Sequence, residues 1–229
     1  MTNSREYFKS AISVDNVIFG FDDGDLKVLL IKRGEEPFMG DWALPGDLVL
    51  LEEELEDAAN RILFDLTAIS NVYLEQVGTF GGVKRHPKGR VITVAYFSLV
   101  NKNKLSPKAS LFAKEIEWVS VKSIDYLAFD HFEIMNDCLA QLKQNLKLKP
   151  IGFELLPEQF TLTELQLLYE TVIGESLDKR NFRKKISKMG IIKDLNKYQT
   201  GVAHRPARLF CFDEEMYRRA VDEGFTFEI

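Results

Sequence analysis

Between Asp178 and Arg208 the chain carries ten cationic side chains, Lys179, Arg180, Arg183, Lys184, Lys185, Lys188, Lys193, Lys197, Arg205 and Arg208, against only Asp178 and Asp194, a local charge near +8 in a chain whose formal net charge is −5. A field of that sign attracts phosphates, and the attraction falls steeply with salt. Lys179, Arg180, Asn181, Arg183 and Lys184 occupy the first half of a helix read from Asp178 to about Met189, where a recognition helix offers side chains and backbone donors to the major groove. Arginine matches the guanine edge and asparagine the adenine edge. Lys188 extends the basic run, and His204, Arg205 and Arg208 fall on the ribbon that follows. His204 has only Cys211 as a nearby soft neighbour, so it reads as a phosphate contact or an exposed side chain and not as a metal ligand.

A charge run is also what a plain solvated helix face looks like. The frame around it favours nucleic acid. Leu162, Leu165, Leu168, Tyr169 and Val172 recur at a helical period, and Thr161 with Glu164 forms a capping box ahead of them. Gly174 ends that helix, Asp178 caps the next, Gly190 stops it, and Phe182 and Ile186 give it an inward face. Ile191–Leu195 and Ala207–Asp213 read as two short strands. Helix, short turn, helix and two-stranded ribbon is the layout of a winged helix-turn-helix.

The 229 residues suffice for two modest domains, and 45% apolar content supports real cores. No apolar run reaches about 18 residues and MTNSREYFKS has no signal-peptide core, so a soluble, cytoplasmic protein with no membrane partner is expected. Cys138 and Cys211 read as buried thiols of a reducing compartment. Ala11–Phe21 and Leu26–Arg33 form a hairpin across Asp22-Asp23-Gly24-Asp25. A helix over 54–67 follows, facing inward with Leu55, Ala58, Ala59, Ile62, Leu63 and Leu66. Strands at Val72–Phe80, Arg90–Leu99 and Ile116–Val119, a helix from Phe132 to Leu146, and a linker over Lys147–Pro157 complete the first half. The domains are accordingly 1–147 and 148–229.

Trp42, Leu44, Pro45, Gly46, Glu53, Ala58, Ala59 and Arg61, with the apolar run to Ile69, resemble the Nudix box, G-x5-E-x7-R-E-U-x-E-E-x-G-U, laid over Asp47–Ile69. Box glutamates three and four apart share a helix face and converge on magnesium, a hard ion that takes oxygen ligands. Against that pattern Glu53 and Arg61 match. Asp47 replaces a glycine, Ile62 and Leu66 replace glutamates, Asp65 shortens one, and Ala68 replaces the second glycine. The expectation is no catalytic residue, no metal, no cofactor and no enzymatic activity.

Both halves together resemble the Nudix-related transcriptional regulators. The motifs that carry this are Trp42-Ala43-Leu44-Pro45-Gly46, Thr79-Phe80-Gly81, the Arg85–Arg90 turn, Leu127-Ala128-Phe129-Asp130-His131, Glu154-Leu155-Leu156-Pro157, Leu177–Lys185 and Arg205-Pro206-Ala207-Arg208-Leu209. The resemblance implies an α+β chain: a Nudix-like mixed-sheet α/β/α sandwich followed by a winged helix-turn-helix. It implies a homodimeric repressor or activator of a catabolic or cofactor operon that binds a palindromic double-stranded operator and responds to a metabolite in the Nudix-like cleft. The chain departs from the ADP-ribose-type pattern at Asp47 and at His86, where the turn usually has an aspartate. Asp47, Glu52, Glu53 and Glu54 make the cleft rim acidic, and a buried diphosphate needs metal or several arginines. The reading therefore prefers a neutral sugar such as arabinose, a carbohydrate-metabolism signal, over ADP-ribose. Lys32, Arg33, Gly46, Asp47 and Arg90 are the candidate ligand-binding residues; Lys32 and Arg33 are adjacent on a strand, so one of the two reaches the ligand. The competing reading is a divergent Nudix hydrolase of a nucleoside diphosphate derivative.

Overall fold

The computed structural model describes residues 10–68, 70–102, 113–203 and 205–229; Ile69 and His204 lie outside them. Two compact units emerge, one of Met1–Gly20, Lys27–Val100 and Lys104–Gln141, the other of Phe21–Leu26, Asn101–Asn103 and Leu142–Ile229. No helix among the described residues is long and apolar enough to cross a membrane.

The first unit is a mixed sheet. Strands β1 (Ala11–Asp22), β2 (Asp25–Arg33), β3 (Trp42–Ala43), β5 (Tyr73–Phe80) and β6 (Val91–Val100) run in the order β3-β2-β1-β6-β5; β4 (Gly46–Leu48) pairs with β1, and β7 (Ala113–Ser120) with β2. β1 and β6 are parallel, with Val14 opposite Val94, while β2–β7 and β5–β6 are antiparallel. β1 is buried on both sides along most of its length, as an almost unbroken apolar strand must be at the centre of a sheet. Its side chains alternate. Val14 packs in a core cluster with Ala58, Ala59, Ile62 and Leu66 of helix α1 (Leu55–Thr67), and Asn16 Nδ2 donates to the Ala59 carbonyl at 3.4 Å. Asp15 points to the opposite face, toward the start of helix α2 (His131–Leu148). The inward face read for α1 is buried, except that Leu55 is half-exposed.

β3 and β4 are too short to leave a periodic signal and are not expected from the sequence. Their role is positional: β4 lays Gly46 opposite Asp15.

In the second unit, the stretch expected to be a linker is a 3₁₀ turn, Pro150–Leu155, with Ile151, Gly152, Phe153 and Leu155 buried. Its apolar residues give it a core to pack on, and the Phe153 ring stacks on Phe212 at 4.5 Å. Helices α3 (Leu162–Ile173) and α4 (Lys179–Met189) end at Gly174 and Gly190, both left-handed, which glycine adopts without a Cβ clash. The Thr161/Glu164 capping box is complete. Tyr169 of α3 and Phe182 of α4 pack with ring centroids 5.7 Å apart. The ribbon is β8 (Ile192–Tyr198) against β9 (Arg208–Phe212), and a two-bond bridge between Phe160 and Phe210 ties it to the start of α3. A final helix, α5 (Glu214–Asp222), was not expected; it carries Met216, Tyr217, Ala220 and Val221 at helical spacing but buries none of its residues fully.

The capping box predicts a measurable contribution. Thr161→Ala removes one acceptor for an otherwise orphan amide and should lower stability of this unit by about 1 kcal/mol, read as a shift in the urea midpoint at unchanged slope.

Candidate effector cleft and nucleic-acid interface

One side of the first unit opens into two adjoining cavities, of about 280 and about 400 Å³. The smaller is lined by Asp15, Phe129 and His131 among others, the larger by Glu35, Arg61, Asp65 and Lys88, and they share a wall that includes Arg33, Asp47 and His86.

Arg85 organises the smaller cavity. Its side chain is 5% exposed and grips Asp130 with two bonds, Nε to Oδ2 at 2.8 Å and Nη2 to Oδ1 at 2.7 Å, while Nη2 also reaches Asp15 Oδ2 at 3.3 Å. Burial opposes the charge on Arg85, but the two carboxylates outweigh it and its pKa rises. His131 accepts the Leu44 N–H on Nδ1 at 3.0 Å, so the neutral ring carries its proton on Nε2, which faces Asp15 Oδ2 at 3.6 Å. Complete burial pushes the His131 pKa down, against the pull of Asp15 and Asp130.

Arg61 organises the other end. It binds Glu53 through Nε at 2.7 Å and Nη2 at 3.1 Å, Asp47 through Nη1 at 2.9 Å, and the Leu48 carbonyl. The hydrogen bonds from Arg61, with the Leu50 N–H, hold the Glu53 carboxyl below the usual range. Two carboxylates counted as an acidic rim thus share one guanidinium, which offsets one of their two charges.

A Nudix fold implies divalent metal, which asks for several carboxylate oxygens meeting at one point. Here Glu53 is turned to Arg61, and Ile62 and Leu66 fill the turn-spaced positions. Among the described residues no three His, Cys, Asp or Glu side chains gather as a metal site. The residues present do not fit such a cluster.

Of the expected ligand-binding residues, Arg33, Gly46 and Asp47 line the cleft. Lys32 does not. It pairs with Glu115 at 3.0 Å and lies over the Trp42 ring, because adjacent strand residues face opposite ways. Arg90 instead donates to the Gly81 carbonyl at 2.6 Å and braces the β5–β6 turn. Gly46 has a steric reason to be there: a Cβ would stand 2.0 Å from Asp15 Oδ1 and 3.0 Å from the Val14 carbonyl. Asp15, Arg85, Phe129 and Asp130 were not singled out as ligand residues. The one local signal was Asp15, a carboxylate in an apolar strand, which is rarely buried unless paired.

In the second unit, Lys179, Arg180, Asn181, Lys184 and Lys188 stand exposed on α4 while Phe182 and Ile186 are buried beneath them. Asp178 caps the helix by accepting the Asn181 N–H at 2.8 Å. Arg183 differs from its neighbours. It is half-buried and donates to Thr163 Oγ1 at 3.0 Å, so its guanidinium spans α3 and α4. Arg205 is exposed, and Arg208 pairs with Asp194 across the ribbon at 2.7 Å.

A sandwich with a polar cleft, followed by a capped helix pair and a wing with one basic face, defines a two-domain DNA-binding transcriptional regulator. Comparison with known proteins agrees: the NUDIX domain family matches residues 9–141, and the NrtR DNA-binding winged helix domain family matches residues 152–212. The ADPR-responsive transcriptional repressor NtrR of Acinetobacter baylyi is 37% identical over 218 residues, 93% of this chain and 86% of the repressor. Shewanella oneidensis NrtR bound to a 27mer DNA superposes with a TM-score of 0.81 at 30% identity, covering 94% of this chain and 97% of that one; its NUDIX domain complexed with ADP-ribose gives 0.55 at 30% identity, covering 61% and 93%. The ADP-ribose pyrophosphatase of Methanocaldococcus jannaschii is 35% identical over 133 residues, 58% of this chain and 75% of the enzyme. The chain belongs to the NrtR family of Nudix-domain transcriptional regulators.

The last similarity corrects the expectation of no enzymatic activity. A Nudix region 35% identical to a working pyrophosphatase cannot be declared degenerate from its box residues.

Gly46 yields the prediction for the cleft. Gly46→Ala forces β4 away from Asp15 and should cost about 1–3 kcal/mol of overpacking, checked by chemical denaturation.

Proposed function

We propose that this chain is an ADP-ribose-responsive repressor: a homodimer in which residues 1–147 take the effector and residues 148–229 bind a palindromic operator, ADP-ribose binding lowering the affinity for DNA. The observation that carries this reading is the match of both domains, in the same order and over 93% of the chain, to a repressor named for its response to ADPR. The complex of ADP-ribose with the Shewanella NUDIX domain supports it.

The cleft supports a diphosphate on charge. The preference for a pentose rested on an acidic rim, and Arg61 pairs with both Glu53 and Asp47, offsetting one of their two charges. Arg33 and Lys88 also line the larger cavity, and their hydrogen bonds go to the backbone carbonyls of Pro37, Glu35 and Glu36 and not to carboxylates. Sugar sensing has no support among the relatives.

Two winged helices of a dimer meet half-sites about 34–36 Å apart or a multiple of it, and an effector acts by favouring a state in which that spacing is lost. A coupling of about 1–3 kcal/mol is ordinary for such a switch. On α4, Arg180 and Asn181 read base edges, Lys179, Lys184 and Lys188 neutralise phosphates, and Arg205 and Arg208 hold the wing to the backbone. A second reading, that the Nudix unit also hydrolyses ADP-ribose, is favoured by the similarity to the pyrophosphatase.

Duplexes selected from random sequence by the protein itself provide the probe. ADP-ribose should weaken their binding about 5- to 150-fold in an anisotropy titration, and arabinose should leave it unchanged. Release by arabinose alone would reverse the effector assignment; AMP appearing in magnesium-containing samples would establish the second reading.

For the interface, Arg180→Ala should weaken the selected duplex by about 1–3 kcal/mol and relax one base position. Lys188→Ala should weaken all duplexes alike and reduce the salt slope by about one. Arg183→Ala should lower stability as well as affinity, through the lost bond to Thr163.

A further inference from the structure

The two cavities of the cleft meet at Arg33 and His86. Both are held against one ring. The Arg33 guanidinium lies 4.8 Å from the Phe129 centroid, and the His86 imidazole stacks on Phe129 at 5.3 Å, only 10° from parallel. Phe38 meets Phe129 edge-on at 4.7 Å. Phe129 has φ 58° and Phe38 φ 62°, left-handed values that are genuine outliers for bulky side chains and persist only where their surroundings over-determine them. The His86 ring is therefore fixed in place. Its Nδ1 accepts the Lys88 N–H at 3.3 Å, so in the neutral form the proton is on Nε2.

We propose that His86 is a specificity-determining residue of the effector cleft, its imidazolium supplying, beside Arg33, a positive charge for a diphosphate that bridges the two cavities, so that effector binding takes up a proton. This rests on the ADP-ribose reading.

The groups that face His86 fix the sign. Arg85 and Lys88 flank it on its own loop, Arg33 comes from β2, Phe129, Asp130 and His131 come from the segment entering α2, and Asp15 and Asp47 come from β1 and β4. Burial first, then Arg85, Arg33 and Lys88, depresses the His86 pKa, so the unliganded ring is neutral near pH 7. A bound dianion reverses the local field and raises that pKa. Affinity then climbs as pH falls through the raised value and levels off below the depressed one. An opposite charge within about 4–6 Å shifts a pKa by about 1–3 units, which corresponds to tighter binding by about tenfold or more across the window.

Calorimetric titration of the intact protein with ADP-ribose, at about pH 6 and about pH 8 and in buffers of differing ionisation enthalpy, tests this. Wild-type protein should bind about tenfold more tightly at the lower pH, with net proton uptake. His86→Asn keeps an oxygen to accept the Lys88 N–H, and should lose both the proton uptake and the pH dependence. Binding of ADP-ribose without proton uptake would overturn the proposal alone. Uptake that survives in His86→Asn would overturn it too, assigning the proton to His131. Failure of ADP-ribose to bind at either pH would remove the effector reading and this proposal with it.

Discussion

The cleft of the first unit depends on one buried cation. Arg85 comes from the β5–β6 loop, Asp15 from the central strand and Asp130 from the turn into α2, and they meet only through its guanidinium. Ion pairs on the surface contribute little, but removing one partner of a buried pair leaves an uncompensated charge at a cost of about 3–5 kcal/mol. That asymmetry makes the geometry stiff. Phe129, beside Asp130, is held at a left-handed φ of 58°, and Asp15 fits against β4 only because position 46 has no Cβ. His131, bound to the Leu44 amide, closes the arrangement against the loop that leads to β4. A cleft built this way presents its groups already oriented, so a ligand loses little ordering entropy on entry.

Much of the second unit was legible in the sequence because its determinants are local. A capping box spans four residues, a glycine C-cap one, and the apolar stripe of α3 repeats within two turns. The basic face of α4 could be read off for the same reason. The exceptions are instructive. Lys147–Pro157 was expected to be a linker, yet Ile151, Phe153 and Leu155 within it have a core to bury in. Arg183 looked like every other cation on its helix, and only the crossing of α3 shows that Thr163 takes it. Helix α5 carries a short stripe, Met216, Tyr217, Ala220 and Val221, that was not expected and that buries none of its residues fully.

The cleft was legible only in part, since its partners lie far apart in the chain. Arg85 and Asp130 are 45 positions apart, Asp15 and Arg85 are 70. No spacing rule connects such groups. The count of carboxylates along residues 47–54 failed for a related reason: charge in a cleft depends on what the folded chain sets beside each group, and Arg61 reaches back 8 residues to Glu53 and 14 to Asp47. The box arginine therefore serves here as the clasp that ties α1 to the loop before it. A count of metal ligands along the helix could not weigh that, nor could it decide what the Nudix region still does.

Discrimination between effectors follows from span and charge together. A pentose is neutral and can occupy one cavity, where its hydroxyls would exchange hydrogen bonds with Asp15 or His131 but leave Arg33 and Lys88 with nothing but backbone carbonyls. On the proposed reading, a diphosphate diester, with two sugars and two charges, would reach both cavities with its anionic centre at the wall that includes Arg33 and His86. A neutral occupant that displaces water from a cation without replacing its charge loses affinity, because a desolvated charge must be paired. On that reading selectivity is set by Arg33 and Lys88, whose hydrogen bonds go to backbone carbonyls and leave their charges for the ligand.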